Sequence, residues 1–195
     1  MSWVVLLRGA NVGGHRTFRP TEFVAALPDL ALRSIGAAGT FIAATPLSES
    51  KVRASIRATL PFETTVTVVS GAAVARLLRH PPTPVDPNNP RERRFATVSD
   101  RPLPRGPSVP IVAPNDDAWQ VRIQAVDGPF AIGVYRRLGP RNLYPSEVVE
   151  KAFGVPATTR WWETIESIGR CLEDAGHPAR SPPRVAPGSG RRMAE

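Results

Sequence analysis

The order of apolar runs and helix-spaced segments in residues 1–80 constrains the fold more than any other feature of the sequence. Four runs have the apolar, β-branched composition of strands, and the segments between and after them carry apolar residues at helical spacing. The predicted strands are residues 3–8, 32–37, 40–44 and 64–70. The predicted helices run from Pro20 to just before Pro28, from Ser48 to Leu60, and over 72–79.

This order is β-α-β-β-α-β, which is the ferredoxin-like unit. The first and third strands are central in such a sheet, and they are the most apolar ones here. The sequence therefore predicts a ferredoxin-like subdomain over residues 1–80. A linker is predicted over 81–92, because that segment is rich in proline and asparagine.

The second half predicts a further α+β subdomain over 93–176 with C-terminal helices, and we interpret it as a second, degenerate ferredoxin-like unit. Four prolines within 101–110 exclude a helix there. The predicted strands are residues 93–99, 109–113, 118–125 and 130–136. The predicted helices are 145–153, stopped by Gly154, and one capped by Thr158 or Thr159 that carries Trp161, Ile165, Ile168 and Leu172 on one face. Residues 177–195 are rich in Pro, Gly, Ser and Arg and are predicted to be a disordered basic tail.

The composition limits the classes of protein. The net charge is +8, and 23 of the 25 basic residues are arginines spread along the chain. With the Ala, Pro and Gly content this indicates a GC-rich coding sequence and solvated surface arginines, and nucleic-acid binding is the alternative. The single cysteine, Cys171, allows no internal disulfide, and the three histidines lack metal-ligand spacing, so we expect no metal and no cofactor. No apolar run approaches the ~20 residues that span a membrane, and we expect a cytoplasmic protein.

The stretch LLRGANVGGHRTFRP, residues 6–20, joins the first strand to the first helix through a turn with three glycines. It matches neither the P-loop spacing nor G-x-G-x-x-G. Two interpretations remain open. The backbone N–H groups form an anion-binding nest beside Arg8, His15, Arg16 and Arg19, or the glycines only supply the positive φ of a tight connection.

Three further signals have competing interpretations. The segment TTRWWET, residues 158–164, is predicted at a helix start, where free N–H groups favour anions and Arg160 adds a donor; a cap followed by core tryptophans is the alternative. Trp3 and Phe41 are candidates for stacking nucleic-acid bases, or they pack against helices or the other subdomain. The motifs G-x-S-x-G and H-E-x-x-H are absent, so the sequence gives little support to an enzyme.

Three segments, VVLLRGANVGG, AAGT and EKAFGVPATTRWWET, resemble the domain of unknown function family 1697, over about residues 3–175. The resemblance implies two ferredoxin-like subdomains and no established activity. The matching positions are Arg8, Gly9, Asn11, Val12, Gly13, Gly14, Gly39, Arg141, Thr158, Thr159, Arg160, Trp162 and Thr164. The family pattern is replaced at Ala38, Thr40, Asn142, Leu143, Trp161 and Glu163, which removes polar groups at several motif positions.

These observations predict a binding protein for a small anionic ligand, such as a nucleotide or a phosphorylated metabolite. Arg8 and Arg160 would pair with the anion, Asn11 would orient it and the glycine N–H groups would cradle it. The predicted site is Arg8, Gly9, Asn11, Gly13, Gly14, Arg141, Thr159 and Arg160. Two alternatives are a nucleic-acid-binding module that uses the arginine-rich surface, and an enzyme on a nucleotide-like substrate with Asn11, His15 and Thr159 as polar participants.

Overall fold

The computed structural model of the protein describes residues 1–11, 14, 16–86, 89–115, 117–139 and 142–176. Within these residues the fold is α+β, with two antiparallel sheets and five α-helices. None of the helices in the described ranges is both long and apolar enough to cross a bilayer. The predicted disordered tail, residues 177–195, lies outside the described residues, so that prediction is not tested.

The first sheet follows the element order that the sequence predicts. Its strands are arranged β2-β3-β1-β4, and β1 pairs antiparallel with both β3 and β4. The apolar strands β1 and β3 are therefore the central ones, as predicted. The elements are β1 Ser2–Leu7, α1 Pro20–Ala25, β2 Leu32–Ser34, β3 Thr40–Ala44, α2 Glu49–Thr59, β4 Val66–Ser70 and α3 Gly71–Leu77.

The second sheet repeats this arrangement without the first helix. Its order is β6-β7-β8-β5-β9, so that β7-β8-β5-β9 corresponds to β2-β3-β1-β4 of the first sheet. The proline-rich segment after β5 forms the short edge strand β6 where the first unit has α1. The elements are β5 Glu92–Ser99, β6 Ile111–Ala113, β7 Val121–Asp127, β8 Phe130–Arg136, α4 Pro145–Phe153, β9 Ala157–Trp161 and α5 Trp162–Gly176.

The predicted helix start at Thr158 or Thr159 is wrong. Both residues lie in strand β9, and α5 begins at Trp162. β9 pairs with β5 in the register Thr97 to Thr159, and this pairing outweighs the local capping signal of the two threonines. Trp161 is consequently a strand residue that packs on the α4 side of the sheet, while Trp162 is the buried first residue of α5.

The two sheets share one hydrophobic cluster. The inward face of β1, β3 and β4 packs with α3, α5 and the facing side of β5 and β8. Helices α1 and α2 cover the other face of the first sheet, and α4 covers the other face of the second. The shared cluster contains Val4, Leu6, Ile42, Val69, Val74, Leu77, Ala96, Val98, Phe130, Ile132, Trp162, Ile165 and Ile168. The apolar inner face of the first sheet is thus buried against the second half of the chain.

Gly39, in the β2–β3 hairpin, is required by both conformation and space. Its φ is +67°, and a Cβ there would lie 2.8 Å from Leu7 Cβ and 2.9 Å from Ala10 Cβ. Gly36 has a similar φ of +64°, but nothing lies within 4 Å of its added Cβ. A substitution at Gly36 therefore introduces conformational strain alone, whereas one at Gly39 introduces both strain and steric overlap.

We expect Gly39→Ala to lower the free energy of unfolding by about 3 kcal/mol, because left-handed strain and overpacking add there. The matched control Gly36→Ala keeps only the strain and loses about 1 kcal/mol. Urea denaturation of both variants measures the difference. Equal losses in the two variants would contradict the steric role of the Gly39 contact.

Candidate functional site

The turn after β1 is closed by the side chain of Asn11. Its Nδ2 donates to the carbonyl oxygens of Phe18 at 3.1 Å and of Ala37 at 2.8 Å, and its Oδ1 accepts from the Phe18 N–H at 2.9 Å. Gly9 has a φ of +63° and Asn11 one of +54°, conformations that glycine and asparagine adopt most readily. Both polar ends of the Asn11 amide are therefore bonded to backbone groups of the protein.

Arg8 joins the turn to the second half of the chain. Its guanidinium forms a two-pronged ion pair with Glu150 of α4, in which Nη1 donates to Oε1 and Nη2 donates to Oε2, the latter at 2.9 Å. Glu150 Oε1 also accepts the Ala157 N–H at 3.0 Å, at the start of β9. The sequence predicts that Arg8 pairs with a ligand anion. In the structure, the carboxylate of Glu150 occupies that position.

Arg160 is a buried connector between the sheets, with 8% of its surface exposed. Nη2 donates to the carbonyl oxygens of Leu7 at 2.8 Å, Ala38 at 3.0 Å and Gly39 at 3.2 Å. Nε donates to Thr40 Oγ1 at 2.8 Å. All of these acceptors belong to the first sheet or its hairpin, so the guanidinium connects β9 to the end of β1 and the start of β3.

The remaining donor nitrogen of Arg160 bonds within its own strand. Nη1 donates to Thr158 Oγ1 at 3.0 Å and to the Thr159 carbonyl oxygen at 2.9 Å. Burial lowers the pKa of Arg160 to about 10, which leaves the guanidinium protonated at neutral pH. Each donor nitrogen of this cation therefore has a neutral oxygen of the protein as its partner.

The rest of the predicted site divides into two groups. Thr159 lies in β9, and its Oγ1 is 2.8 Å from Thr97 Oγ1 on β5, so it is a cross-strand hydrogen-bonding residue rather than part of a helix start. Gly14 is exposed in the turn with a φ of +76°. Gly13 and Arg141, together with His15, lie outside the described residues, and the roles predicted for them stay predictions.

The two motif regions that the sequence predicts to form one site do meet in space. Arg160 Nη2 reaches the Leu7 carbonyl, and Glu150 spans from Arg8 to the first residue of β9. Sequence analysis missed Glu150, since nothing in a single sequence indicates a partner 142 positions from Arg8. What the contacts show is a joint between the sheets, in which the expected ligand-binding cations already have protein partners.

A cleft of about 880 Å³ lies beside this joint, and we call it the turn cleft. Arg16 sits on its turn side, where a Cβ added to Gly9 would be 3.3 Å from Arg16 Nη1. Arg57 of α2 faces it from the other side. Among the described residues neither arginine has an ion-pair partner. The full lining is Arg16, Arg57, Leu60, Pro61, Phe62, Glu63, Thr64, Thr65, Asp100 and Pro156.

The two aromatic residues considered for base stacking are packed in the core. Phe41 is fully buried and its ring lies 5.3 Å from that of Phe23 and 6.1 Å from that of Phe18. Trp3 packs on the same cluster and its Nε1 donates to the Leu47 carbonyl at 2.9 Å. Phe41 therefore presents no open face, whereas Trp3 is half-buried against the same cluster.

Comparison with known proteins supports the fold alone. No protein-family model matches the chain, and no curated protein matches it. A conserved bacterial protein of solved structure from Streptococcus pneumoniae is similar with a TM-score of 0.53 and 16% sequence identity, over 88% of this chain and 98% of that one. The similarity agrees with an α+β fold. The resemblance to the domain of unknown function family 1697 stays a prediction.

We expect Arg160→Met to lower the free energy of unfolding by about 3 kcal/mol, because the substitution leaves several buried carbonyl oxygens without donors. Arg57→Met is the matched control: it makes the same chemical change on an exposed helical position and shifts stability by about 0.5 kcal/mol or less. Chemical denaturation monitored by tryptophan fluorescence compares the two. A loss at Arg160 no larger than that at Arg57 would show that the buried hydrogen bonds contribute little.

Proposed function

We propose that the protein binds a small anionic ligand, such as a nucleotide or a phosphorylated metabolite, in the turn cleft. The observation that carries the proposal is the pair of arginines at this cleft, Arg16 and Arg57, which have no ion pair among the described residues. Arg8 and Arg160 are by contrast bonded to Glu150 and to carbonyl oxygens. The charge for the ligand therefore comes from the two arginines that the joint leaves unpaired.

The loop closed by Asn11 supports this assignment. The Asn11 N–H donates to the Arg16 carbonyl at 3.2 Å, so the backbone of Arg16 is fixed by the same residue that anchors the turn. The Arg16 guanidinium then lies over Gly9, where the absence of a Cβ makes room for it. The fixed backbone of Arg16 and the space over Gly9 thus place this guanidinium at the cleft.

The acidic groups of the turn cleft favour a nucleotide over a bare phosphate. Asp100 shares Arg53 with Glu49, at 3.4 Å and 2.6 Å respectively, so its charge is compensated only in part. Glu63 is exposed at the cleft and forms no ion pair in the described part of the chain. A carboxylate repels phosphate but accepts hydrogen bonds from ribose hydroxyls or base amino groups, which a nucleotide carries beside its phosphates.

No observation favours the enzyme alternative enough for a second proposal. The Asn11 amide is bonded to backbone groups, and the Thr159 hydroxyl to Thr97. His15 lies outside the described residues. The nucleic-acid alternative rests on a different part of the surface and is taken up below.

A thermal-shift panel of ATP, AMP, glucose 6-phosphate and inorganic phosphate tests the proposal. A ligand at about 100 times its dissociation constant stabilises the fold by about 2.7 kcal/mol, which raises the Tm by roughly 5 to 10 °C. We expect a nucleotide to give the largest shift, and we expect Arg16→Ala/Arg57→Ala to abolish it.

The control for this panel is Arg122→Ala/Arg136→Ala, which removes the same charge from the second sheet. It keeps the nucleotide shift if the ligand occupies the turn cleft. Binding that survives the loss of Arg16 and Arg57, or that shrinks equally in both double variants, would refute the assignment, as would the absence of any shift across the panel.

A further inference from the structure

Two arginine side chains lie over the ring of Trp119, just before β7. The guanidinium carbon of Arg122 is 4.4 Å from the ring centroid and that of Arg136 is 4.2 Å from it. Arg136 Nε also donates to the Trp119 carbonyl at 3.1 Å. Trp119 is 9% exposed, so the indole is a platform that holds both cations rather than an open aromatic surface.

Strand pairing brings a further arginine, Arg94, to this end of the second sheet. Arg94 on β5 and Arg122 on β7 are both paired with Val134 of β8, which puts the two arginines on one face, one on each side of β8. Arg136 lies on the same face, since it follows Val134 by two residues on β8. We call Trp119, Arg122 and Arg136 the arginine–tryptophan patch.

The two cations of the patch have no ion pair within the described part of the chain. Arg94 is paired with Glu166 of α5 at 3.6 Å, but neither Arg122 nor Arg136 has such a partner there. Glu92 is opposite Arg136 in register, without an ion pair between them. Like charges held this close repel one another, and an anion bound across them relieves the repulsion.

The geometry suits one class of polyanion. A guanidinium that lies over an indole is held with limited freedom, its N–H groups bind phosphate oxygens two at a time, and its plane stacks on nucleobases. Single-stranded nucleic acid offers phosphates and unpaired base faces along one chain. A duplex hides its base faces, and an acidic peptide has none.

The patch is independent of the turn cleft. β5 begins at Glu92 beside the patch and ends at Ser99, next to Asp100 of the turn cleft. A strand of this length separates its ends by about 25 Å. The two sites therefore share no residue, and each serves as the control for the other.

We propose that the arginine–tryptophan patch binds single-stranded nucleic acid, with Arg122 and Arg136 on the phosphates and their guanidinium planes over Trp119 as stacking surfaces for bases. This activity is additional to the binding of a small anion in the turn cleft and does not depend on it.

Fluorescence anisotropy with labelled oligouridylate and oligothymidylate of about 12 nucleotides tests the proposal. The variant is Arg122→Gln/Arg136→Gln, and the matched control is Arg16→Gln/Arg57→Gln, which removes the same charge from the turn cleft. We expect the variant to lose about tenfold or more in affinity and the control about twofold or less. The slope of log K against log salt decreases in magnitude by about 1.4 in the variant, for two lost phosphate contacts.

A second variant, Arg122→Gln alone, keeps the test valid if the double variant is poorly folded, because it leaves the Arg136–Trp119 hydrogen bond intact. It loses about threefold in affinity, since one phosphate contact is removed. Binding of either oligonucleotide with this pattern supports the proposal. Equal losses in the patch and cleft variants, tighter binding of a duplex, or equal competition by polyglutamate or inorganic polyphosphate at matched charge would overturn it, as would no binding of either oligonucleotide.

Discussion

The guanidinium of Arg160 joins strand β9 of the second sheet to the first sheet by hydrogen bonds. It is a buried cation whose six hydrogen bonds all go to neutral oxygens, four of them on the first sheet or its hairpin. Burying a charge without a carboxylate is unfavourable unless each donor is satisfied, and here each donor nitrogen is. The backbone of the β2–β3 hairpin must therefore approach Leu7 closely, which explains why a glycine is needed at position 39.

The Arg8–Glu150 ion pair and the hydrogen bonds of the Asn11 side chain complete this joint between the sheets. Together they fix the turn after β1 against the hairpin, against α4 and against the start of β9. Arginine, asparagine, threonine and glycine are the residue types that bind phosphate, but the same types satisfy buried carbonyls and strained turns. A motif built from them predicts a polar site correctly without revealing whether its partner is a ligand or the chain itself. In the proposed function, the anion is therefore bound by Arg16 and Arg57, which have no ion pair among the described residues.

Hydrophobic periodicity, together with the positions of glycine and proline, predicts most of the helices and strands. α4 occupies the predicted 145–153 and ends at Gly154 in a left-handed conformation with a φ of +65°, and the prolines of 101–110 correctly exclude a helix. The sequence pattern does not predict β9, because no turn signal separates this five-residue strand from α5, which follows it directly. Its strand state comes from pairing with β5, a tertiary effect that a local pattern does not carry.

The site was less predictable than the fold. The Arg8 turn and the Thr159–Arg160 segment, which the sequence analysis hypothesises to share a site, lie close together in the fold. The sequence, however, assigns their donors to a ligand. The partner of Arg8 is 142 residues away, and the arginines over Trp119 come from strand pairing in the second sheet. Such contacts follow from the assembled topology. Residue types alone show only that arginine is abundant.

We infer that the shared core and the Arg160 hydrogen bonds make the two sheets unfold as one cooperative unit. Native-state hydrogen exchange across a denaturant series measures this most directly, since it gives an opening free energy for each strand. The account predicts that the central amides of β1 and β3 and those of β5 and β8 exchange with one common free energy, equal to that of global unfolding. A separate, lower free energy for either sheet would show that the halves unfold independently and would contradict the role assigned to Arg160.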